Sequence, residues 1–158
     1  MSNITLTEGD VAPDFSLENQ DGTFVDLKSL VASGPVVIYF YPKDFTPGCT
    51  TEACDFRDLY DKFVESGVKV VGISPDTAEK HKKFIAEYEL NFDLLSDPTK
   101  ATMAAYGAFG EKMNYGKVVS GVIRSTFLIG KDQLVKKAMY GVKAKGHASR
   151  VVNLLPIS

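Results

Sequence analysis

PVVIYFYPKDFTPGCTTEACDFRDLYDKF, Pro35 to Phe63, is the stretch around which the chain is organised. Val36-Val37-Ile38-Tyr39-Phe40-Tyr41 is an unbroken run of β-branched and aromatic residues. Such a run reads as a strand buried on both faces, the usual centre of a parallel sheet. Pro42 stops it, because proline cannot donate to a ladder. Asp44 to Gly48 carries turn chemistry, and a helix follows with Thr46 or Thr50 as its cap. At 100° per residue, Cys49, Ala53, Phe56, Tyr60 and Phe63 share one stripe that must face the sheet, with Asp58, Asp61 and Glu65 opposite. Cys49 is therefore expected in the first helical turn, at the carboxyl end of a central strand and pointing inward. Unpaired amides and the positive end of the helix dipole favour a thiolate there, and cysteines at such positions are commonly acidified.

Cys54 lies five residues on, towards the polar side of the same helix. In an intact helix the two Cα atoms are about 8.5 Å apart, whereas a disulfide needs roughly 4.4–6.8 Å. A bond between them requires the first turns to unwind. Unpaired cysteines usually behave as buried hydrophobes, so Cys49 and Cys54 read as a working dithiol coupled to local unfolding.

One domain, spanning residues 1–158, is the natural count for this length, and the core is large enough to need no disulfide or metal. Apolar content of 44% and charged content of 24% are ordinary for a globular chain. A net charge of −2 points to neither nucleic acid nor an anionic membrane. Two cysteines and two histidines are too few and too scattered for a structural zinc site. MSNITLTEGD has no leader-like features, and no apolar run approaches a membrane span. The expected setting is the reducing cytoplasm, where a close cysteine pair is more often catalytic than a staple.

Val11 to Leu27 reads as an N-terminal hairpin turning at Asn19–Gly22, with a helical turn at Asp26 to Leu30. Gly67 closes the cysteine helix. Then follow a strand from Val68 to Ser74, a helix from Pro75 with Ala78, His81, Phe84, Ile85 and Tyr88 on one face, and a short strand from Phe92 to Leu95. A helix from Thr99 to Tyr106 precedes an irregular loop over Gly107 to Gly121. A strand from Val122 to Ile129 pairs back with Leu134 to Tyr140, and a last helix begins at Gly146-His147. Parallel strands joined by helices, then an antiparallel hairpin and a helix, indicate an α/β fold: a thioredoxin-like sandwich with an N-terminal β-hairpin extension and a mixed central sheet flanked by helices.

YPKDFTPGCTTEACDFRD, with its threonine-x-x-cysteine signature at Thr46 to Cys49, resembles the peroxiredoxins, and within them the bacterioferritin comigratory protein or PrxQ group. A second match is GVIRSTFLIG, Gly121 to Gly130, and the resemblance runs from about Leu6 to Leu155. It implies a thiol-dependent peroxidase that reduces hydrogen peroxide and organic hydroperoxides without metal, haem, flavin or other cofactor. Cys49 would become a sulfenic acid, Cys54 would resolve it as an intramolecular disulfide, and thioredoxin or a similar dithiol protein would recycle it. The Thr46 hydroxyl would meet the peroxide or the sulfur, Pro42 would shield the cysteine, and Arg124 would steady charge on both reactants. By analogy with relatives in this group, which are often monomers or weak dimers, the resemblance implies a monomer or weak homodimer.

Each residue also has a plainer reading. Cys49 alone could be a core cysteine, Thr46 a simple cap, Pro42 a strand terminator and Cys54 a spare surface thiol. Arg124 could leave its apolar strand for solvent, although burying it unpaired would be costly. His81 and His147 read as satisfied structural residues. Glu52 and Asp55 could tune the helix or merely complement its dipole. Two rival functions stand beside the peroxidase: a thiol–disulfide oxidoreductase, which would favour C-x-x-C over the four-residue gap here, and a non-enzymatic holdase or redox-sensing partner.

Overall fold

The computed structural model describes residues 5–155; the first four residues of the segment read as lacking a leader lie outside it. Nine strands and six helices are formed among these residues. A seven-stranded mixed sheet has the order β2-β1-β5-β4-β3-β8-β9. The N-terminal hairpin is β1 (Ser16–Glu18) and β2 (Phe24–Asp26), antiparallel to each other and joined to the sheet through Glu18 opposite Ser96. Asp26 accepts from the Ser29 amide and starts α1 (Leu27–Val31).

At the heart of the sheet, β3 (Val36–Phe40) runs parallel to β4 (Lys69–Ser74), which runs parallel to β5 (Asp93–Ser96). On its other side β3 pairs antiparallel with β8 (Ser125–Ile129), and β8 with β9 (Val135–Tyr140). Every residue of β3 is buried. The pleat sends Val36, Ile38 and Phe40 to one core, shared with α1 and α5 (Ala101–Tyr106). It sends Val37, Tyr39 and Tyr41 to the other core. That core is covered by α2 (Pro47–Asp58), α3 (Tyr60–Glu65), α4 (Ala78–Tyr88) and α6 (His147–Val152), with α2 packed on α6. Burying each such side chain stabilises the fold by about 1.5–3 kcal/mol. Tyr39 stacks on Phe56 at 4.7 Å and lies across Gly72, where a Cβ would fall 2.7 Å from the ring.

The α/β sandwich with its hairpin extension is thus as expected, and three local readings are corrected. The cysteine helix is broken at Leu59 into α2 and α3, with no proline or glycine to mark the break. Gly67 still closes its second half, at φ 71°, with the Val68 amide donating to the Phe63 carbonyl. The stretch read as an irregular loop forms a separate antiparallel hairpin, β6 (Phe109–Asn114) with β7 (Lys117–Val122). Tyr115 and Gly116 turn it with both φ values positive, as a two-residue hairpin turn requires. Finally, the strand expected from Val122 to Ile129 is interrupted, so Arg124 sits in a two-residue joint between β7 and β8 rather than within a strand. Among the described residues, no helix is long and apolar enough to cross a membrane.

Candidate active site

The site forms where β3 gives way to α2. The Tyr41 amide still donates to the Ile73 carbonyl, at 3.1 Å. Pro42 ends the ladder and is exposed. Thr46 is the N-cap residue in extended geometry, and Pro47 takes the first helical position, where its missing amide costs nothing. The Thr46 side chain caps no helical amide; its hydroxyl donates to the Lys43 carbonyl at 2.8 Å, leaving its lone pairs free of the helix. Thr50 lies inside the helix, and its amide donates to the Thr46 carbonyl. Cys49 is the third helical residue, 1% exposed, over the second core.

Arg124 enters from the β7–β8 joint, 75 positions away in sequence. Its Nη2 donates to Cys49 Sγ at 3.3 Å and its Nη1 to Glu52 Oε1 at 2.5 Å. Gly48 keeps the passage open: a Cβ there would sit 3.4 Å from Nη2 and 3.8 Å from the Ala144 side chain. One planar guanidinium therefore spans the sulfur and a carboxyl, which a lysine could not do. Glu52 is fully buried. Burial pushes its carboxyl up to about 7 against the pull of Arg124. Burial alone would lower Arg124, but Glu52 and Cys49 outweigh it and raise it. Glu52 Oε2 and the Tyr39 hydroxyl are buried without a hydrogen-bond partner among the described residues. Of the two acids that could have tuned this helix, Glu52 alone reaches the cation; Asp55 is half-buried beside Cys54.

Both cysteines are free. Cys54 is half-buried, and burial first, then Asp58 and Asp55, push its thiol up against the effect of Arg57. Since α2 is continuous from Pro47 to Asp58, the helical separation of about 8.5 Å applies. Arg57 pairs with Asp58 at 2.9 Å and donates to the Tyr88 carbonyl, which ties α2 to α4.

A second polar cluster lies under the turn. Tyr41 donates to Asp44 Oδ1 at 2.5 Å, His81 Nδ1 lies 2.6 Å from Asp44 Oδ2, and the Asp44 amide donates to Asp76 Oδ2 at 2.7 Å. In the sequence, Asp44 reads as turn chemistry and His81 as a satisfied structural residue on a core-facing stripe. The one available signal was a histidine on the apolar stripe of α4. Asp44, Asp76 and His81 offer three metal-type ligand atoms within 4.8 Å of one another, but each is already bonded to a protein group. His147 is buried against Thr126, with Nε2 2.7 Å from Oγ1, and burial, then Arg150 and Arg124, lower it to about 4.

The arrangement suits nucleophilic sulfur chemistry. A cation and a helix start stabilise negative charge on Cys49, and the same cation can meet charge developing on a bound oxygen. The AhpC/TSA family model matches residues 9–138. A putative peroxiredoxin Bcp of Helicobacter pylori is 50% identical over 150 residues, covering 95% of this chain and 98% of that one. Peroxiredoxin Bcp of Bacillus subtilis is 42% identical over 152 residues, covering 96% of each. Among solved structures, the bacterioferritin comigratory protein of Xanthomonas campestris superposes with a TM-score of 0.86 at 39% identity over 96% of each chain. The structures of that protein are trapped intermediate/ligand complexes that bear on its alkyl peroxide reduction activity.

Proposed function

The chain belongs to the AhpC/TSA family, as a thioredoxin-fold peroxiredoxin of the Bcp/PrxQ group and a thiol-dependent peroxidase, and on that premise we propose how its own residues divide the work. Cys49 is the nucleophile. Its thiolate attacks one oxygen of a peroxide; the S–O bond forms, the O–O bond breaks, and the other oxygen leaves, once protonated, as water or an alcohol. Arg124 holds the thiolate and the departing oxygen, and Glu52 holds Arg124. Thr46 takes the peroxide's hydrogen bond with the lone pairs that its bond to Lys43 leaves open. Pro42 shields Cys49 from bulk water.

Cys54 then attacks the sulfenic sulfur. An S–S bond forms and water leaves, after the first turns of α2 have uncoiled. A dithiol protein of the thioredoxin kind restores both thiols by exchange. Hydrogen peroxide and organic hydroperoxides are the substrates, the working form is a monomer or weak homodimer, and the setting is cytoplasmic. The observation that carries this reading is the single guanidinium bridging Cys49 Sγ and Glu52 at the start of α2.

A stopped-flow peroxide titration of the wild type, Cys49→Ser and Cys54→Ser, read by thiol count and intact mass, tests it. The wild type is expected to lose two thiols per peroxide and remain a single-chain disulfide. Cys49→Ser should not react. Cys54→Ser should oxidise once and then accumulate sulfenic or sulfinic acid. Full turnover of Cys54→Ser with thioredoxin would remove Cys54 from its role. Sluggish reaction with peroxide alongside rapid reaction with disulfides would favour the oxidoreductase instead.

A further inference from the structure

None of the steps above uses the buried cluster of Tyr41, Asp44, Asp76 and His81, yet it lies directly beneath the turn that carries Thr46. His81 is 0% exposed and Asp44 1%. The Leu95 carbonyl can only accept, so His81 Nε2, 3.0 Å away, carries a proton. Nδ1 faces Asp44 Oδ2 at 2.6 Å, a contact that requires one further proton between them. Asp44 Oδ1 accepts from Tyr41. Both carboxyl oxygens and both ring nitrogens are thus engaged, and a complete network of this kind specifies one geometry. Buried polar pairs of this kind are poor sources of net stability, and in some proteins they act instead by selecting one arrangement.

What they select here is the plane of one peptide. The Asp44 amide donates to Asp76 Oδ2, while the carbonyl on the other side of the same peptide, that of Lys43, accepts the Thr46 hydroxyl. Asp76 is itself fixed by the Ser74 hydroxyl at 2.7 Å and by Lys80 at 3.0 Å. Turning this peptide would release Asp76 and swing Thr46 away from Cys49. The next residue, Phe45, is held at φ 68°, a left-handed conformation that a bulky side chain adopts only under constraint. Its ring stands edge-on against Phe84 at 5.0 Å and lies tilted to Tyr88 at 6.3 Å. The turn is therefore bolted to α4 twice, by Phe45 on Phe84 at the strained residue and by Asp44 on His81 at the residue before it.

We propose that Asp44, His81 and Asp76 are positioning residues for peroxide reduction: together they lock the Lys43–Asp44 peptide and so aim the Thr46 hydroxyl at the peroxide bound to Cys49. This rests on the peroxidatic role given to Cys49, and the test separates the two. Reduced wild type, Asp76→Ala, His81→Ala, Asp44→Ala and Asp44→Asn are compared in two single-turnover reactions at one pH. One is oxidation by hydrogen peroxide, which needs Thr46. The other is alkylation of Cys49 by iodoacetamide, scored by peptide mass separately from the second free thiol at Cys54, which needs only the Cys49 thiolate.

Peroxide oxidation is expected to slow by about 10- to 100-fold in the three alanine variants, the scale of a misplaced contact of about 1 Å. Alkylation should stay within about threefold, and the far-UV circular dichroism of each variant should match wild type, because an unfolded fraction would lose the peroxide rate without losing alkylation. Asp44→Asn should recover most of the rate lost in Asp44→Ala, because its amide can donate to a neutral His81 and its carbonyl can accept from Tyr41. Asp76→Ala removes only the pin at the half-buried edge, so it tests the proposal if the core variants do not fold. Peroxide and alkylation rates that fall in parallel, or no change in either, would overturn the positioning role. Wild type reacting with iodoacetamide but not rapidly with peroxide would instead overturn the role of Cys49.

Discussion

Glu52→Gln is expected to remove a pH dependence of folding stability that the buried carboxyl imposes. Glu52 is fully buried beside Arg124 and is raised from 4.5 to about 7. Between those values the folded chain keeps a proton that the unfolded chain has released. Stability from this group is therefore complete below pH 4.5 and is lost as pH rises through about 7. At 1.36 kcal/mol per unit, the loss across the window is about 3 kcal/mol, or about 6–12 °C in Tm for a chain of this length. His147 works in the opposite sense: lowered to about 4, it loses stability as pH falls below its unfolded value of 6.5. The two partly cancel in the wild type, so the informative quantity is the difference between variant and wild type. Urea denaturation of both reduced proteins from pH 4 to 8.5 should show Glu52→Gln gaining about 3 kcal/mol relative to wild type as pH rises from 4.5 to 7, then no further change. Parallel curves would show that Arg124 keeps Glu52 ionised throughout and would refute the reasoning.

Arg124→Lys keeps a charge but loses the fork between Cys49 and Glu52, and the first oxidation by peroxide should slow by about 100-fold in stopped flow; a rate within twofold of wild type would show that one point charge suffices. Amide hydrogen exchange over residues 49–56 should quicken on conversion to the disulfide form, and equal protection in both states would contradict the need for α2 to uncoil. Gly72→Ala would place a Cβ 2.7 Å from Tyr39 Cζ and 2.9 Å from Leu94 Cδ2, and should cost about 1–3 kcal/mol in urea denaturation; a neutral result would mean that the Tyr39 ring can move aside.

The readable parts of the fold were those with one strong period. The apolar run at β3, the stripe on α2 and the face of α4 each stated which side is buried, and the N-terminal hairpin announced its turn. The hairpin of β6 and β7 was illegible because it packs little: Met113 is 67% exposed, Val118 63% and Tyr115 98%, so no alternation of burial is written into it. The break at Leu59 has no local signal either. At the site, Cys49 stood out by its place at a helix start and Arg124 by its charge among apolar neighbours. Glu52 did not, because an acid three positions beyond that cysteine suits an exposed helix equally well until an arginine 72 positions later is known to reach it. Asp44 and His81 were hidden for the same reason: the 37 positions between them carry no periodicity that would join them.

On the proposed pairing of Cys49 with Cys54, the interruption at Leu59 sets a boundary for the redox cycle. Had the cysteine helix run unbroken from Pro47 to Glu65, melting its start would have loosened one cooperative rod all the way to β4. Instead α3 is a separate peg, driven into the core by Phe63 and sealed at Gly67. The proposed disulfide would then form at one end while the far end stays seated, and the protein would fold back along its own template once that bond is reduced.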